Sequence, residues 1–251
     1  MRAVWRFCRE YLATIVFVAA ITLGWEAFVR ITGTASYLLP APSAVFARLV
    51  NQWQMMLHHA GVTLTEVAAG FALGASVGVF AAAVMHRSSP IRKAIGPLVV
   101  ASQTFPKEAL APLFIVLLGP GLLPKVLVAA LISFFPMTIN TMRGLSSTDP
   151  LAKDVFVSLA ATRDQMFWKL EVPSALPFVF TGLRMSITLS VIGAVVGEFV
   201  GASEGLGYLT QLANDTLQTD LMFASLLMLG TMGVALYGLV ATVESLFFAK
   251  W

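Results

Sequence analysis

Six stretches of this chain, roughly residues 11–31, 63–85, 95–118, 124–142, 175–199 and 221–247, are each close to 20 residues of nearly unbroken apolar sequence. A helix needs about that length to cross a hydrocarbon core roughly 30 Å thick. Lipid offers a peptide group no hydrogen-bond partner, so each segment must satisfy its own backbone and be helical. The expected fold is an all-α membrane protein with about six transmembrane helices. Composition agrees, with 58% of residues hydrophobic and 12% charged, a balance foreign to soluble domains.

The charges that remain report orientation. A net charge of +3 is too slight to point to nucleic acid, and the basic residues gather between the spans. With the N-terminus inside, eleven of the sixteen Lys and Arg fall in inner segments: Arg2, Arg6, Arg9, Arg87, Arg92, Lys93, Arg143, Lys153, Arg163, Lys169 and Lys250. Arg30, Arg48 and Lys125 fall outside, while Lys107 and Arg184 lie within spans. This bias places both termini in the cytoplasm. The apolar run behind Arg2, Arg6 and Arg9 outlasts the core of a signal peptide and carries Trp25 and Glu26 where small cleavage residues belong, so it is read as a retained anchor.

Several chemistries are set aside. Cys8 is the single cysteine, expected as an inert thiol with no intrachain disulfide. His58, His59 and His86 lack metal-ligand spacing, so no metal site is expected. No G-x-x-x-x-G-K-[ST] loop occurs, so the chain is expected to bind no nucleotide in that way and to carry no catalytic residue or cofactor of its own. Gly70, Gly74 and Gly78 form a stripe on one helical face, and Gly193, Gly197 and Gly201 form another; both are assigned to packing within the chain.

Two connections are long. Residues 32–62 open with the turn Tyr37-Leu38-Leu39-Pro40-Ala41-Pro42 and continue as an amphipathic helix from Ser43 to Leu57, with Val45, Phe46, Leu49, Val50 and Trp53 at near-helical spacing. Residues 143–173 read as helix, tight break, helix. Asp149 before Pro150 is a start signal, that helix runs to about Leu159, and Thr162 with Gln165 has capping-box spacing for a second helix ending near Pro173. Its basic and apolar residues suit docking on a soluble partner.

The segment Ser158-Leu159-Ala160-Ala161-Thr162, followed by Trp168-Lys169-Leu170-Glu171-Val172-Pro173-Ser174-Ala175-Leu176-Pro177, resembles the cytoplasmic loop of ABC importer permeases. Ala160 stands where that family usually has glycine, and Asp154 near its opening Glu. Leu39-Pro40-Ala41-Pro42-Ser43, Phe105-Pro106-Lys107-Glu108-Ala109-Leu110-Ala111-Pro112-Leu113, Phe134-Phe135-Pro136 with Asn140-Thr141, and Gly197-Glu198-Phe199 ahead of Gly205-Leu206-Gly207-Tyr208 resemble its nitrate, sulfonate, taurine and bicarbonate branch. The resemblance implies a type I importer permease fold over residues 1–251 as one domain: an N-terminal span and outer helix over 1–62, then a core over 63–251 with the coupling loop 143–173. It implies a homodimer of this chain, a dimer of separate ATPases that bind ATP and Mg, an extracytoplasmic solute-binding protein, and residence in a bacterial inner membrane. Ser158, Leu159, Ala160, Ala161, Thr162, Arg163 and Asp164 would form the ATPase-coupling element. The solute would be a small anion such as a sulfonate, taurine or nitrate, or a small heterocycle.

Charged and amide side chains inside the spans are the candidates for the solute pathway, because their burial in lipid costs several kcal/mol. Lys107 and Glu108 follow Pro106, with Gln103 and Thr104 just before, so the third span is expected to break there. Two readings stand: this segment lines or gates the pathway, or it is a kink held by its own ion pair. Asn140 and Ser133 offer hydrogen bonds either to a solute or between helices. Glu26 and Arg184 are expected to snorkel to the interface, and the resemblance gives Glu198 a gate or dimer-contact role beside a central cavity. The rival is an ion-coupled carrier using Glu108 or Glu198 without an ATPase, which predicts inverted repeats not found in the sequence.

Overall fold

The computed structural model describes the backbone of residues 2–249 and the side chains of residues 12–249. Cys8, Lys250 and the side chains of Arg2, Arg6 and Arg9 lie outside that description. The described chain is helical, with α1 Arg2–Thr32, α2 Pro42–Asn51, α3 Trp53–Arg87, α4 Ser89–Ala101, α5 Ala111–Leu118, α6 Leu122–Ser146, α7 Pro150–Ser158, α8 Arg163–Met166, α9 Val172–Gly201, α10 Leu206–Asp215 and α11 Thr219–Phe248. Five segments are long and apolar enough to span a bilayer: Leu12–Thr32, Trp53–Arg87, Leu122–Ser146, Arg163–Gly201 and Thr219–Phe248.

The third expected span, 95–118, is not one helix. It is α4, the short 3-10 turns Ser102–Thr104 and Lys107–Leu110, and α5. Pro106 sits at the break with extended backbone, ψ 94°, since proline has no amide proton and crowds the preceding turn. The second span starts ten residues earlier than its hydropathy suggested. Only a kink at Gln52 separates α2 from α3, so the outer helix and the span are nearly continuous. α3 is about 52 Å long at 1.5 Å per residue, and its first turns project beyond a hydrocarbon core of about 30 Å.

The core is α6 packed between α3 and α9. Along α3, Glu66, Gly70, Gly74 and Gly78 repeat every four residues, and along α6 so do Lys125, Ala129, Ser133 and Met137. The two rows meet at a constant offset of 59: Glu66 binds Lys125, and a Cβ on Gly70, Gly74 or Gly78 would strike Ala129, Ser133 or Met137 at 2.4, 2.1 and 2.9 Å. α9 meets α6 from the other side, where a Cβ on Gly193 would lie 2.6 Å from Ala129 Cα and one on Gly197 3.0 Å from Lys125 Cα. Both glycine stripes therefore pack within the chain. Ser186 Oγ donates to Ser133 O at 2.8 Å and Ser190 Oγ to Val67 O at 3.3 Å, binding α9 to both partners.

Two charges expected at the lipid interface are instead paired. Glu26 accepts from Ser43 N and Oγ at 2.9 and 2.7 Å, capping α2 in trans, and from Arg30 Nε at 2.6 Å. Arg184 pairs with Glu244 of α11 and lies over the Tyr237 ring at 5.8 Å.

The glycine contacts predict that Gly193→Val lowers the thermal unfolding midpoint in detergent, costing at least the roughly 1–3 kcal/mol of core overpacking, because Ala129 backbone cannot yield. Gly61→Ala, where a Cβ meets nothing within 4 Å, should be neutral or slightly stabilising. Equal midpoints for the two variants would remove the packing argument.

Candidate functional site

Three polar constellations sit on this core. The first is the loop 143–173. Asp149 Oδ1 accepts from Leu151 N at 3.0 Å and starts α7 at Pro150. α7 ends in a Schellman turn: Ala160 N donates to Val157 O at 2.9 Å and Ala161 N to Phe156 O at 3.0 Å. The turn requires left-handed backbone at Ala160, whose φ is 50°; alanine thus adopts the conformation glycine accepts without strain. Thr162 then caps α8 in a reciprocal box, with Thr162 N donating to Gln165 Oε1 at 2.9 Å and Gln165 N to Thr162 Oγ1 at 3.2 Å. Arg163 and Asp164 open α8, while Ser158 Oγ bonds back to Asp154 O. The expected helix, break and helix are present, and Leu151, Val155, Val157 and Leu159 are exposed.

The second helix does not stop at Pro173. It passes through a π turn, Phe167–Glu171, into α9. Val172 N reaches back five residues to Phe167 O, and Pro173, which lacks a donor, follows immediately; the wider turn absorbs the lost register. The loop is tied to α3 by Arg87 with Asp164 and by His86 Nε2 to Glu171 Oε2 at 3.0 Å, with Lys153 Nζ 3.3 Å from Glu171 Oε1.

The second constellation is the broken span. Gln103 and Glu108 are exposed on the protomer, and Lys107 is half-buried. Lys107 Nζ lies 4.7 Å from the centroid of Phe135 on α6, a cation–π contact; among the described residues it makes no ion pair with Glu108. Asn140, also on α6, donates to Pro136 O of its own helix at 2.8 Å. Ser133 is buried in the Gly74 contact and its Oγ donates to Ala130 O of its own helix at 3.1 Å, so among the described residues its hydroxyl makes no bond between helices. Lys107 thus lies against α6, the helix that carries Asn140, while Gln103 and Glu108 share its broken segment with no side-chain bond to either among the described residues.

Glu198 belongs to a third group at the opposite end of the core from loop 143–173. It is 1% exposed, so no oxygen is free to touch a second copy directly. Its carboxyl takes donors from Thr63 Oγ1 at 2.6 Å, Tyr208 N at 3.2 Å and Gly207 N. Thr63 Oγ1 accepts from Leu206 N at 2.8 Å, and His59 Nδ1 from Gly205 N at 3.0 Å. The first amides of α10 are therefore capped entirely by side chains of α3 and α9, doing what a Ser or Asp at the N-cap does elsewhere. Gly205 has φ 118° and a Cβ there would lie 2.2 Å from the Glu198 carboxyl carbon, so the Gly-Leu-Gly turn is what lets the carboxylate in. Beside it Lys125 Nζ donates to Glu66 Oε1 at 2.6 Å, with Glu66 0% exposed.

Glu66, Lys125, Thr63 and His59 were not among the sequence candidates. Lys125 counted as an outer-loop charge and Glu66 hid inside an apolar span. The signal was available in spacing: Glu66 continues the Gly70, Gly74, Gly78 face by one turn. Removing Lys125 alone as Lys125→Met leaves a buried carboxylate without its partner, which costs about 3–5 kcal/mol. Glu66→Met with Lys125→Met should recover most of that loss in detergent unfolding; a double variant no better than the single would show that the pair's charge is not what matters.

With this geometry in hand, comparison with known proteins is specific. Residues 74–248 match the family described as binding-protein-dependent transport system inner membrane component. The chain is 36% identical over 238 residues to the formylaminopyrimidine transport permease protein ThiX of Halalkalibacterium halodurans, covering 94% of this chain and 95% of that one. It is 34% identical over 256 residues to the riboflavin transport system permease protein RibX of Chloroflexus aurantiacus, with 100% and 94% covered, and 25% identical over 233 residues to the taurine transport system permease protein TauC of Escherichia coli, with 88% and 83% covered. In fold it is similar to a chain of the MetNI methionine ABC transporter in an inward-facing conformation, with TM-score 0.68 and 15% identity over 78% of this chain and 97% of that one. It is likewise similar to a chain of an amino acid ABC transporter, with TM-score 0.66 and 16% identity over 82% and 98%. A glycine-packed helical core, a loop with back-to-back helix caps and a matched family over most of the sequence make this chain a member of the binding-protein-dependent transport system inner membrane component family, a membrane permease of the ABC importers.

Proposed function

We propose that the chain is the membrane-spanning subunit of an ATP-driven importer. It works as a homodimer in a bacterial inner membrane with both termini in the cytoplasm, as one permease domain over residues 1–251. A dimer of separate ATPases supplies ATP and Mg chemistry at loop 143–173, and an extracytoplasmic binding protein delivers the solute. The carrying observation is the loop itself: capped at both helices and tied to α3 by charged pairs, it presents exposed Leu151, Val155, Val157 and Leu159, an apolar surface of the kind that docks. Ser158, Leu159, Ala160, Ala161, Thr162, Arg163 and Asp164 form the part that enters the ATPase. Gln103, Lys107, Glu108 and Asn140 border the solute pathway, and Glu198 acts on it as a positioning residue by holding α10.

For the solute, we place a small nitrogen heterocycle ahead of a sulfonate or other small anion. The relatives named for formylaminopyrimidine and riboflavin transport are 36% and 34% identical, against 28% and 25% for those named for aliphatic sulfonates and taurine. Exposed Phe105 and the Phe135 ring beside Lys107 suit a flat, polar-edged ring.

The test is co-purification in detergent with the candidate ATPase, comparing wild type with Ala161→Arg. The wild-type chain should retain the ATPase, and the arginine, set in the tight turn between the caps, should reduce the retained amount at least about tenfold, equivalent to about 1.4 kcal/mol of docking energy. If no ATPase binds wild type and the chain alone moves solute into liposomes down an ion gradient, the carrier reading replaces this one.

A further inference from the structure

Two cavities meet at the base of the coupling loop, and together they have the shape of an amphiphile. One is a polar cleft of about 400 Å³ lined by His86, Arg87, Arg163, Met166, Phe167 and Glu171. The other is an almost wholly apolar groove of about 430 Å³ between α3 and α9, walled by Val79, Phe80, Ala83, Leu176 and Val179. They share Arg87 and Phe167, and the guanidinium of Arg87 lies 4.9 Å above the Phe167 ring at the junction.

Charge favours an anion in the polar half. Glu171 is answered by Lys153 and His86, and Asp164 by Arg87. The Arg163 guanidinium has neither an ion pair nor a hydrogen bond among the described residues, so the cleft is left with one positive charge in excess. Polar capacity is also unspent: Thr141 Oγ1, on a residue 2% exposed that lines the groove, and His86 Nδ1 in the cleft are both buried with no hydrogen-bond partner. The π turn sets the rim. It keeps Phe167 inside at 6% exposure while turning Trp168 outward at 64%, placing an indole at the end of the groove where amphipathic rings settle at headgroup depth. The groove opens beside Phe80, which is exposed on α3 in a segment long and apolar enough to cross a bilayer.

We propose that this joined cavity binds one anionic phospholipid, with its phosphate held by Arg163 and Arg87 and an acyl chain in the groove between α3 and α9. Guanidinium groups pair with phosphate oxygens in forked geometry, and basic pockets between transmembrane helices on the cytoplasmic side take anionic headgroups. The site rests on the membrane placement above but requires neither the ATPase nor the solute. Its ligand would touch the π turn and the first residue of α8, so lipid composition would set how firmly the coupling loop is held to α3.

The test uses the full chain with Trp168 as its single tryptophan, the other four replaced by Phe, titrated in detergent with brominated phosphatidylglycerol or brominated phosphatidylcholine. Trp168 fluorescence should be half-quenched at about fivefold less phosphatidylglycerol, the selectivity expected of one surplus cation near an anionic headgroup. Arg163→Gln, which breaks no existing pair, should bring the ratio to one. Ala83→Phe, which fills the groove and leaves the cations, should abolish quenching by both lipids while the chain still elutes as a single species. Equal quenching by the two lipids in the unsubstituted background, or a preference that survives Arg163→Gln, would overturn the proposal. So would an indole that neither lipid reaches, which would mark the groove as covered by a second copy of the chain.

Discussion

The contact of α6 with the glycine faces of α3 and α9 is the constraint from which the rest of the structure follows. In lipid the hydrophobic effect does not distinguish helix from solvent, so association depends on close van der Waals contact and a few polar bonds. Ala129 makes this concrete. A Cβ on Gly70 would lie 2.4 Å from its side chain and one on Gly193 would lie 2.6 Å from its Cα, so the three backbones are as near as they can be. The bonds from Ser186 to Ser133 O and from Ser190 to Val67 O are short enough to form only because the helices are that close.

This core carries a polar clasp at each end, built from the same two helices. Near its start α3 contributes His59, Thr63 and Glu66; at its last turn it contributes His86 and Arg87. α9 grows out of loop 143–173 through the π turn and finishes three residues past Glu198, at Gly201. In the proposed role, a displacement of the loop by an ATPase is passed to α3 through Asp164 and Glu171, and to α9 through continuous helix. Glu198 and Thr63 then carry it to α10. Interlocked glycine faces resist sliding, so the natural response of such a core is rigid-body movement.

How much of this was legible in sequence depended on range. Local chemistry was: the Asp149 and Thr162 caps, the break at Pro106 and the packing role of both glycine stripes need only neighbours within one or two turns. Glu66 with Lys125, Arg184 with Glu244 and Glu26 with Ser43 were not, since each joins different helices and composition assigns such charges to the interface by default. The offset of 59 that aligns α3 with α6 is a tertiary fact, although both rows of fourth residues stood in the sequence. The π turn was hidden for another reason: Pro173 announces a helix end, and only the observed register shows the helix continuing past it. Ala160 is the converse case, a residue that argues against a left-handed turn and adopts it because the Schellman bonds and the Thr162 box fix the backbone on both sides.

The broken span is the strongest physical argument for the proposed dimer. α4 and α5, at 13 and 8 residues, are about 20 and 12 Å long, and neither crosses a hydrocarbon core. Between them the backbone turns irregularly and exposes Gln103, Thr104 and Glu108. Irregular backbone and charge at membrane depth are tolerated against protein or a water-filled cavity and not against lipid. Elsewhere the chain exposes chiefly apolar side chains along its spans, so the requirement for another covering surface falls on this one segment. A second copy related by a twofold axis would meet it with the same segment, enclosing two sets of Gln103, Lys107 and Glu108 around a polar path. In the proposed dimer, the break that makes the third span unfit to face lipid would fit it to line a channel between two subunits.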